Sequence, residues 1–367
     1  MSITKNQHYV PQFLLKKFKI SPPIDSKVQI HLFDKHSQTT EIKSIKHVFA
    51  EDYFYDEDNL VENQLGLVET QAAIGINKII NDDFSVLKTD ADILLQFIAS
   101  QYSRTLARRN SSHKMIDDVQ MNWVKSMFNI NKNVSQFKES FEAESIDYGN
   151  FDYTADNFRS ISAMNAVNGL VLFEMLKDLS FHLLENNTDD EFIIGDQPVV
   201  LCNWLLSSYI FTKNIPVNSS PIAIGAQLFM PLSPKLYICL YDSKVYKYGS
   251  KSEIKTKINK ESVEWLNKLQ LIHSANAVGF SDCKMKQKIY ARYQDCKTIT
   301  LRQHINHNNT KQMMLGSTLK NLEPKPSFFK ILDKAKSLPS NAIMDNPHKA
   351  GKLINAGLLY RNKNLIR

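Results

Sequence analysis

The feature that most constrains this chain is a single carboxylate at a corner between two apolar runs. Asp196 follows the apolar run Phe192–Ile194 and then Gly195. Pro198 comes two residues after Asp196, and the apolar residues then resume. Glycine reaches backbone conformations closed to other residues, and proline fixes its own φ and removes a donor. The pattern predicts a buried strand that delivers Asp196 at its end. Because a carboxylate is seldom buried without a partner, it predicts a polar site or network there.

Length and composition set broad limits. The chain has 367 residues, 43% hydrophobic and 23% charged, which is typical of a folded globular protein and excludes wholesale disorder. Its formal charge of +7 permits contact with a polyanion without requiring it. The four cysteines stand far apart without a C-x-x-C pair, which predicts reduced thiols and a cytoplasmic protein. The most apolar long run, residues 163–184, contains charged and amide residues, so we expect a core helix and no membrane span.

Two predicted helices carry charged residues on faces that should point inward. The helix from about Val61 to Asn81 has Glu62 and Glu69 on one stripe with apolar residues at steps of three and four. The next helix places Arg104 on its inward face. Because a buried arginine is very costly without a carboxylate, we expect Glu62 or Glu69 as its partner. The pairing fits a structural ion pair and a polar pocket equally well.

The remaining patterns predict a mixed α+β fold, with a small, mostly antiparallel sheet flanked by several long helices. Residues 223–230 and 235–241 indicate strands around a Pro-Leu-Ser-Pro turn. We expect one long helix from about Asp156 to Glu185 and a closing strand over Gln287–Tyr293. The main domain should span residues 1–297, and residues 298–367 should form a basic C-terminal extension.

A set of motifs carries a family resemblance. The chain opens with His8-Tyr9-Val10-Pro11, has Gly195-Asp196-x-Pro198 midway, and has Pro231-Leu232-Ser233-Pro234 after it. In this order and spacing the motifs resemble the bacterial domain-of-unknown-function family 4238, over roughly residues 5–282. Gly195 stands where many members have serine. The resemblance implies a shared pocket and no established reaction.

Polar residues placed on apolar elements suggest a function. If they converge, His8 with Asp196 would give an oriented imidazole for general acid–base chemistry, and Arg104 would bind a phosphate or a transition-state anion. Alternatively, Glu62 and Glu69 would hold Mg²⁺ or Mn²⁺ together with Asp196. The residues expected to contact substrate are Gln12, Asn267 and Gln270. This set suits a nuclease or related phosphodiesterase acting on DNA or RNA, with a role in defence or as a toxin.

The competing hypothesis is a non-catalytic module that binds nucleic acid or protein. In it the same polar residues form an internal network that fixes the packing. The chain has no Walker loop, no G-x-S-x-G elbow and no H-E-x-x-H motif, which favours this reading. The sequence therefore leaves open whether the protein is an enzyme.

Overall fold

The computed structural model describes residues 4–23, 27–113, 155–205, 221, 224–250, 253–299, 303–307, 310–314 and 326–336. The helices bounded within these residues are α1 Gln12–Leu15, α2 Leu60–Ile80, α3 Val86–Thr89, α4 Ala91–Ser103, α5 Ala155–Leu172, α6 Lys260–His273, α7 Met285–Cys296 and α8 Asp333–Lys336. The first strands are β1 Asn6–His8, β2 Gln29–Asp34, β3 Thr40–Ser44, β4 Ala50–Asp52, β5 Ser180–Asn186, β6 Ile194–Gly195, β7 Val200–Cys202 and β8 Gln227–Ser233. The later strands are β9 Leu236–Tyr241, β10 Tyr246–Tyr248, β11 Lys255–Ile258, β12 Ala277–Phe280, β13 Gln303–His307, β14 Thr310–Met314 and β15 Phe329–Ile331.

The strands form several sheets that are mostly antiparallel. The largest has the order β11-β5-β9-β8-β7, and only its β11–β5 pair is parallel. A four-stranded antiparallel sheet has the order β3-β2-β12-β6. The pairs β1–β4, β10–β15 and β13–β14 are separate ribbons. The predicted α+β class is confirmed.

The five-stranded sheet has helices on both faces. Successive side chains on a strand point to opposite faces, and β9 follows this rule. Ile238 and Leu240 pack into the core that includes residues of α1, α2 and α4, whereas Tyr237 and Cys239 pack into the core that includes residues of α6. Both faces are therefore buried, which explains why β9 reads as an almost continuous apolar run.

Two local predictions are wrong. The helix expected from Asp156 to Glu185 ends at Leu172, and after a short 3₁₀ turn β5 begins at Ser180. The leucine-rich segment is compatible with both structures, and pairing with β9 and β11 on its two sides stabilises the strand. The segment Gln287–Tyr293 lies within α7, where Ile289 and Cys296 are buried at helical spacing.

Part of the expected C-terminal extension packs into the main domain. Strand β15 pairs with β10, and Phe328 is buried against the rings of Phe229, Trp265 and Tyr248. Most of residues 298–367 lie outside the described residues. The helical spacing of Met115, Val119 and Trp123 also predicts a helix over residues 111–130, and most of that segment lies outside them too. Among the helices that the structure describes, none has the length and apolar character that crossing a membrane requires.

Candidate functional site

A polar cluster lies where β1 meets α2 and α4. We call it the α2–α4 cluster, and its members are His8, Tyr55, Glu62, Glu69, Gln101 and Arg104. Helix α2, predicted from its spacing, supplies the two carboxylates and runs alongside α4. Arg104 stands at the C-terminal end of α4, where its backbone N–H donates to Ser100. Residues from three distant parts of the chain therefore meet in one place.

Arg104 is the centre of the cluster. Its side chain is 1% exposed, and its Nη1 donates to Oε1 of Glu69 at 2.7 Å. Its Nε and Nη2 both donate to Oε1 of Gln101, at 3.1 and 2.8 Å. The expected partnership with a carboxylate of α2 is confirmed, and Glu69 is the residue that makes it. The Glu69 side chain remains 25% exposed, so the ion pair reaches the surface through the carboxylate and not through the guanidinium.

His8 has a defined tautomer. Its Nε2 lies 3.1 Å from the carbonyl oxygen of Ile45. Because a carbonyl oxygen only accepts, we assign the ring proton to Nε2, which leaves Nδ1 with a lone pair. Burial lowers the pKa of His8, while its bond to Ile45 and the charge of Glu69 act in the opposite direction. His8 is thus a neutral imidazole at neutral pH, with one nitrogen suited to accept a proton.

Glu62 has a strongly perturbed carboxyl group. Burial and, second, the negative charge of Glu69 raise the pKa of its carboxyl to about 7, while Arg104 acts in the opposite direction. Glu62 therefore exchanges its proton near neutral pH, which is uncommon for an unperturbed glutamate. Perturbed acids next to a buried cation are typical of functional sites, although structural networks also produce them.

This pKa predicts a pH-dependent stability. The folded state favours the protonated carboxyl, so the contribution of Glu62 is fully present below pH 4.5 and is lost as pH rises to about 7. Glu62→Gln keeps the shape and cannot ionise. We expect it to match the wild type at pH 4.5 and to be roughly 1–3 kcal/mol more stable at pH 8. Calorimetric melting from pH 4.5 to 8 measures this. The exposed Glu261→Gln is the control, and equal pH slopes in Glu62→Gln and wild type would contradict the assignment.

Asp196 belongs to a second network. Its side chain is 1% exposed, and its two oxygens accept the backbone N–H groups of Ala275, Asn276 and Ala277 at 2.7, 2.6 and 3.2 Å. Burial raises the pKa of the Asp196 carboxyl, while these three bonds and Lys35 act against the rise. The carboxylate holds the turn between α6 and β12, and its hydrogen bonds do not include His8.

The amides of α6 also bind backbone groups. Asn267 accepts from the N–H of Ile193 at 3.1 Å and donates to the carbonyl of Glu191 at 2.8 Å. Gln270 accepts from the N–H of Gly195 at 2.9 Å and donates to Pro198 and to the hydroxyl of Tyr237. Both side chains are fully buried. They fix the corner that carries Asp196, and their expected contact with a substrate stays a prediction.

Tyr9 connects the two networks. Its carbonyl accepts from Nε2 of Gln101 at 2.8 Å. Burial is the main cause that raises the pKa of its hydroxyl, and the negative charge of Asp196 is the second. The phenol therefore lies close enough to Asp196 to feel its charge. The predicted site residues thus fall into two adjacent groups, the α2–α4 cluster and the Asp196 network. Gln12 begins α1 with a half-buried side chain and belongs to neither group.

Two members of the α2–α4 cluster were not expected from the sequence. Gln101 lies three residues before Arg104, and residues at this spacing are neighbours on a helix. Its position in the sequence could therefore have indicated a contact with Arg104. Tyr55 lies in an irregular stretch, where no periodicity indicates its side-chain direction. Among the described residues, no group of three or more His, Cys, Asp or Glu side chains is arranged to hold a metal ion.

Fold and site together define an α+β protein with a buried arginine–carboxylate cluster beside its N-terminal strand. Residues 6–284 match the model of a family described as a protein of unknown function, DUF4238, and the chain belongs to that family. The match includes every residue of both networks. No curated protein and no solved structure matches the chain.

Proposed function

We propose that this protein is a phosphodiesterase that acts on nucleic acid, with His8 and Glu62 as its proton-transfer pair. The observation that carries the proposal is that His8 and Glu62 both lie close enough to Arg104 and Glu69 to feel their charges. The pKa of His8 is lowered and that of Glu62 is raised to about 7, so near neutral pH the imidazole is unprotonated and about half of the Glu62 carboxyl groups hold a proton. Proton-transfer catalysts work best when their pKa lies near the working pH.

The roles follow from these protonation states. Nδ1 of His8 would take the proton of the attacking water or hydroxyl, and the carboxylic acid of Glu62 would give a proton to the leaving oxygen. Arg104 is held by Glu69 and Gln101, so it would set the potential of the site without contacting substrate. The net charge of +7 suits a polyanionic substrate. A defence or toxin role in the bacterial cytoplasm completes the proposal.

The proposal also has a metal-dependent form. Mg²⁺ is often bound through one or two carboxylates, with water and substrate phosphate completing its octahedron. Glu62 and Glu69 would supply these carboxylates from one face of α2. In this form the metal would replace the proton on Glu62, and activity would require the free cation.

The experiment is a cleavage assay on the purified full-length protein. End-labelled single- and double-stranded DNA and RNA are incubated with Mg²⁺, with Mn²⁺ and with chelator. We expect cleavage that falls at least 100-fold in His8→Ala and in Glu62→Gln and is unchanged in Glu261→Gln, a matched substitution at an exposed site. Loss of cleavage in chelator selects the metal-dependent form. Cleavage unaffected by both cluster substitutions would refute the proposed pair.

The second candidate is a non-catalytic module, and one observation favours it. Asp196, Asn267 and Gln270 all bind backbone groups and are buried, as expected of a network that fixes packing. A protein that cleaves none of the four substrates but binds labelled DNA or RNA, with affinity that falls steeply as salt rises, would support this candidate over the enzyme.

A further inference from the structure

A second site is suggested by a cavity that shares no residue with the α2–α4 cluster or the Asp196 network. It has a volume of about 930 Å³ and lies between α3, the start of β5, and the segment from the end of β9 to β11. This volume is within the range of cavities that hold small organic ligands. Leu332 lines one wall, and its backbone N–H donates to the carbonyl of Val245 at 2.8 Å. A residue outside the family match therefore helps to complete the cavity.

Aromatic rings form much of the lining. Tyr241 and Tyr248 have centroids 4.3 Å apart, and Phe181 lines the cavity with them. The hydroxyl of Tyr248 accepts from Nε2 of Gln227 at 2.6 Å and from Sγ of Cys239 at 3.2 Å. These buried partners fix the Tyr248 ring. Fixed aromatic rings at a cavity wall favour a ligand with a planar ring, which can stack on them or meet them edge to face.

The lining of the cavity carries more positive than negative groups. Lys88 and Lys247 are exposed, and the structure gives neither of them an ion pair with a described residue. Glu253 also lines the cavity; its carboxylate accepts the N–H of Ser250 at 3.0 Å, and this bond lowers its pKa. His182 bonds Oγ1 of Thr256 at 2.8 Å, and burial lowers its pKa to about 4, so it is neutral. The lining thus has two ammonium groups and one carboxylate, which favours an anion.

We propose that this cavity binds a ligand that joins a planar aromatic ring to a phosphate, of the nucleoside monophosphate class. The ring packs against Tyr241 and Phe181, and the phosphate lies between the ammonium groups of Lys88 and Lys247. A phosphomonoester carries between one and two negative charges at neutral pH. This charge matches two lysines better than the single charge of a carboxylate on the ligand would. The side chains of Ser243 and Ser250 add hydroxyl groups to the lining. This inference goes beyond the proposed function and does not rest on it.

The test is isothermal titration of the full-length protein with adenosine monophosphate, uridine monophosphate, adenosine and inorganic phosphate. We expect a nucleotide to bind at least tenfold more tightly than adenosine or phosphate alone. Lys247→Glu should weaken nucleotide binding at least tenfold, and so should Tyr241→Leu. The exposed Lys257→Glu on β11 is the matched charge control and should have no effect.

Several results would overturn the proposal. Adenosine binding as tightly as its monophosphate would remove the anionic part, and phosphate binding as tightly as the nucleotide would remove the aromatic part. Absence of nucleotide binding at millimolar concentration, or equal binding by Lys247→Glu and wild type, would refute the site altogether. Lys247 is exposed, so its substitution tests the site even if Tyr241→Leu fails to fold.

Discussion

Replacing Asp196 by alanine should destabilise the protein by about 3–6 kcal/mol, because an unpaired buried donor costs about 1–3 kcal/mol and two of the three donors that lose their acceptor are only part-buried. The Asp196 carboxylate accepts three backbone N–H groups between Ala275 and Ala277. Alanine offers no acceptor, and the site is too buried for water to replace the carboxylate freely. Urea unfolding followed by circular dichroism measures the change through the midpoint and slope.

Two further variants make the Asp196 experiment specific. Asp189→Ala, an exposed aspartate in the turn before β6, should change stability by less than about 0.5 kcal/mol. Asp196→Asn keeps an acceptor oxygen and should lie between alanine and wild type. If Asp196→Ala unfolded like the wild type but lost nucleic-acid cleavage, the carboxylate would act in catalysis and our structural assignment would be wrong.

Replacing Arg104 by methionine should cost about 3–5 kcal/mol, the usual range when one partner of a buried ion pair is removed. Glu69 would lose its cation, and Oε1 of Gln101 would lose both of its donors. Arg104→Lys should recover only part of the loss, because an ammonium lacks the planar fork that bridges Glu69 and Gln101. Urea unfolding again gives the free energies.

Removing Arg104 should also change the pKa of Glu62, an effect that a role in packing alone would not produce. Arg104 lowers the pKa of Glu62, so in a folded Arg104→Met protein the pKa of Glu62 should rise above about 7. Carboxyl NMR titration measures this. A double-mutant cycle with Glu69→Gln should give a coupling energy of about 0.5–3 kcal/mol. A coupling near zero, with an unchanged pKa of Glu62, would contradict the central position of Arg104.

Sequence reasoning succeeded where periodicity carries the information. Residues three and four apart on a helix share a face, so the spacing of Glu62 and Glu69 on α2 was enough to predict a partner for Arg104. It failed over residues 180–186, where a leucine-rich segment suits a helix and a strand alike. The strand forms because β9 and β11 pair with it, and neither is near in sequence.

The same limit explains the Asp196 network. The corner motif indicated a buried carboxylate, but its partners lie about 80 residues later in the turn that follows α6. Backbone N–H groups have no sequence signature, so a carboxylate that binds them cannot be told from one that awaits a substrate. The sequence therefore located this network without distinguishing its role.

The burial of Phe328 has a consequence for how the chain reaches its native state. The aromatic core around Trp265 and Phe229 is closed by a residue made after the whole family-matched segment, residues 6–284, has been synthesised. Chains begin to fold from the N-terminus during translation. Among the residues that the structure describes, the core around α2 and α4 contains none from beyond residue 284. This core can therefore pack before Phe328 has been synthesised, whereas the aromatic core is complete only after it.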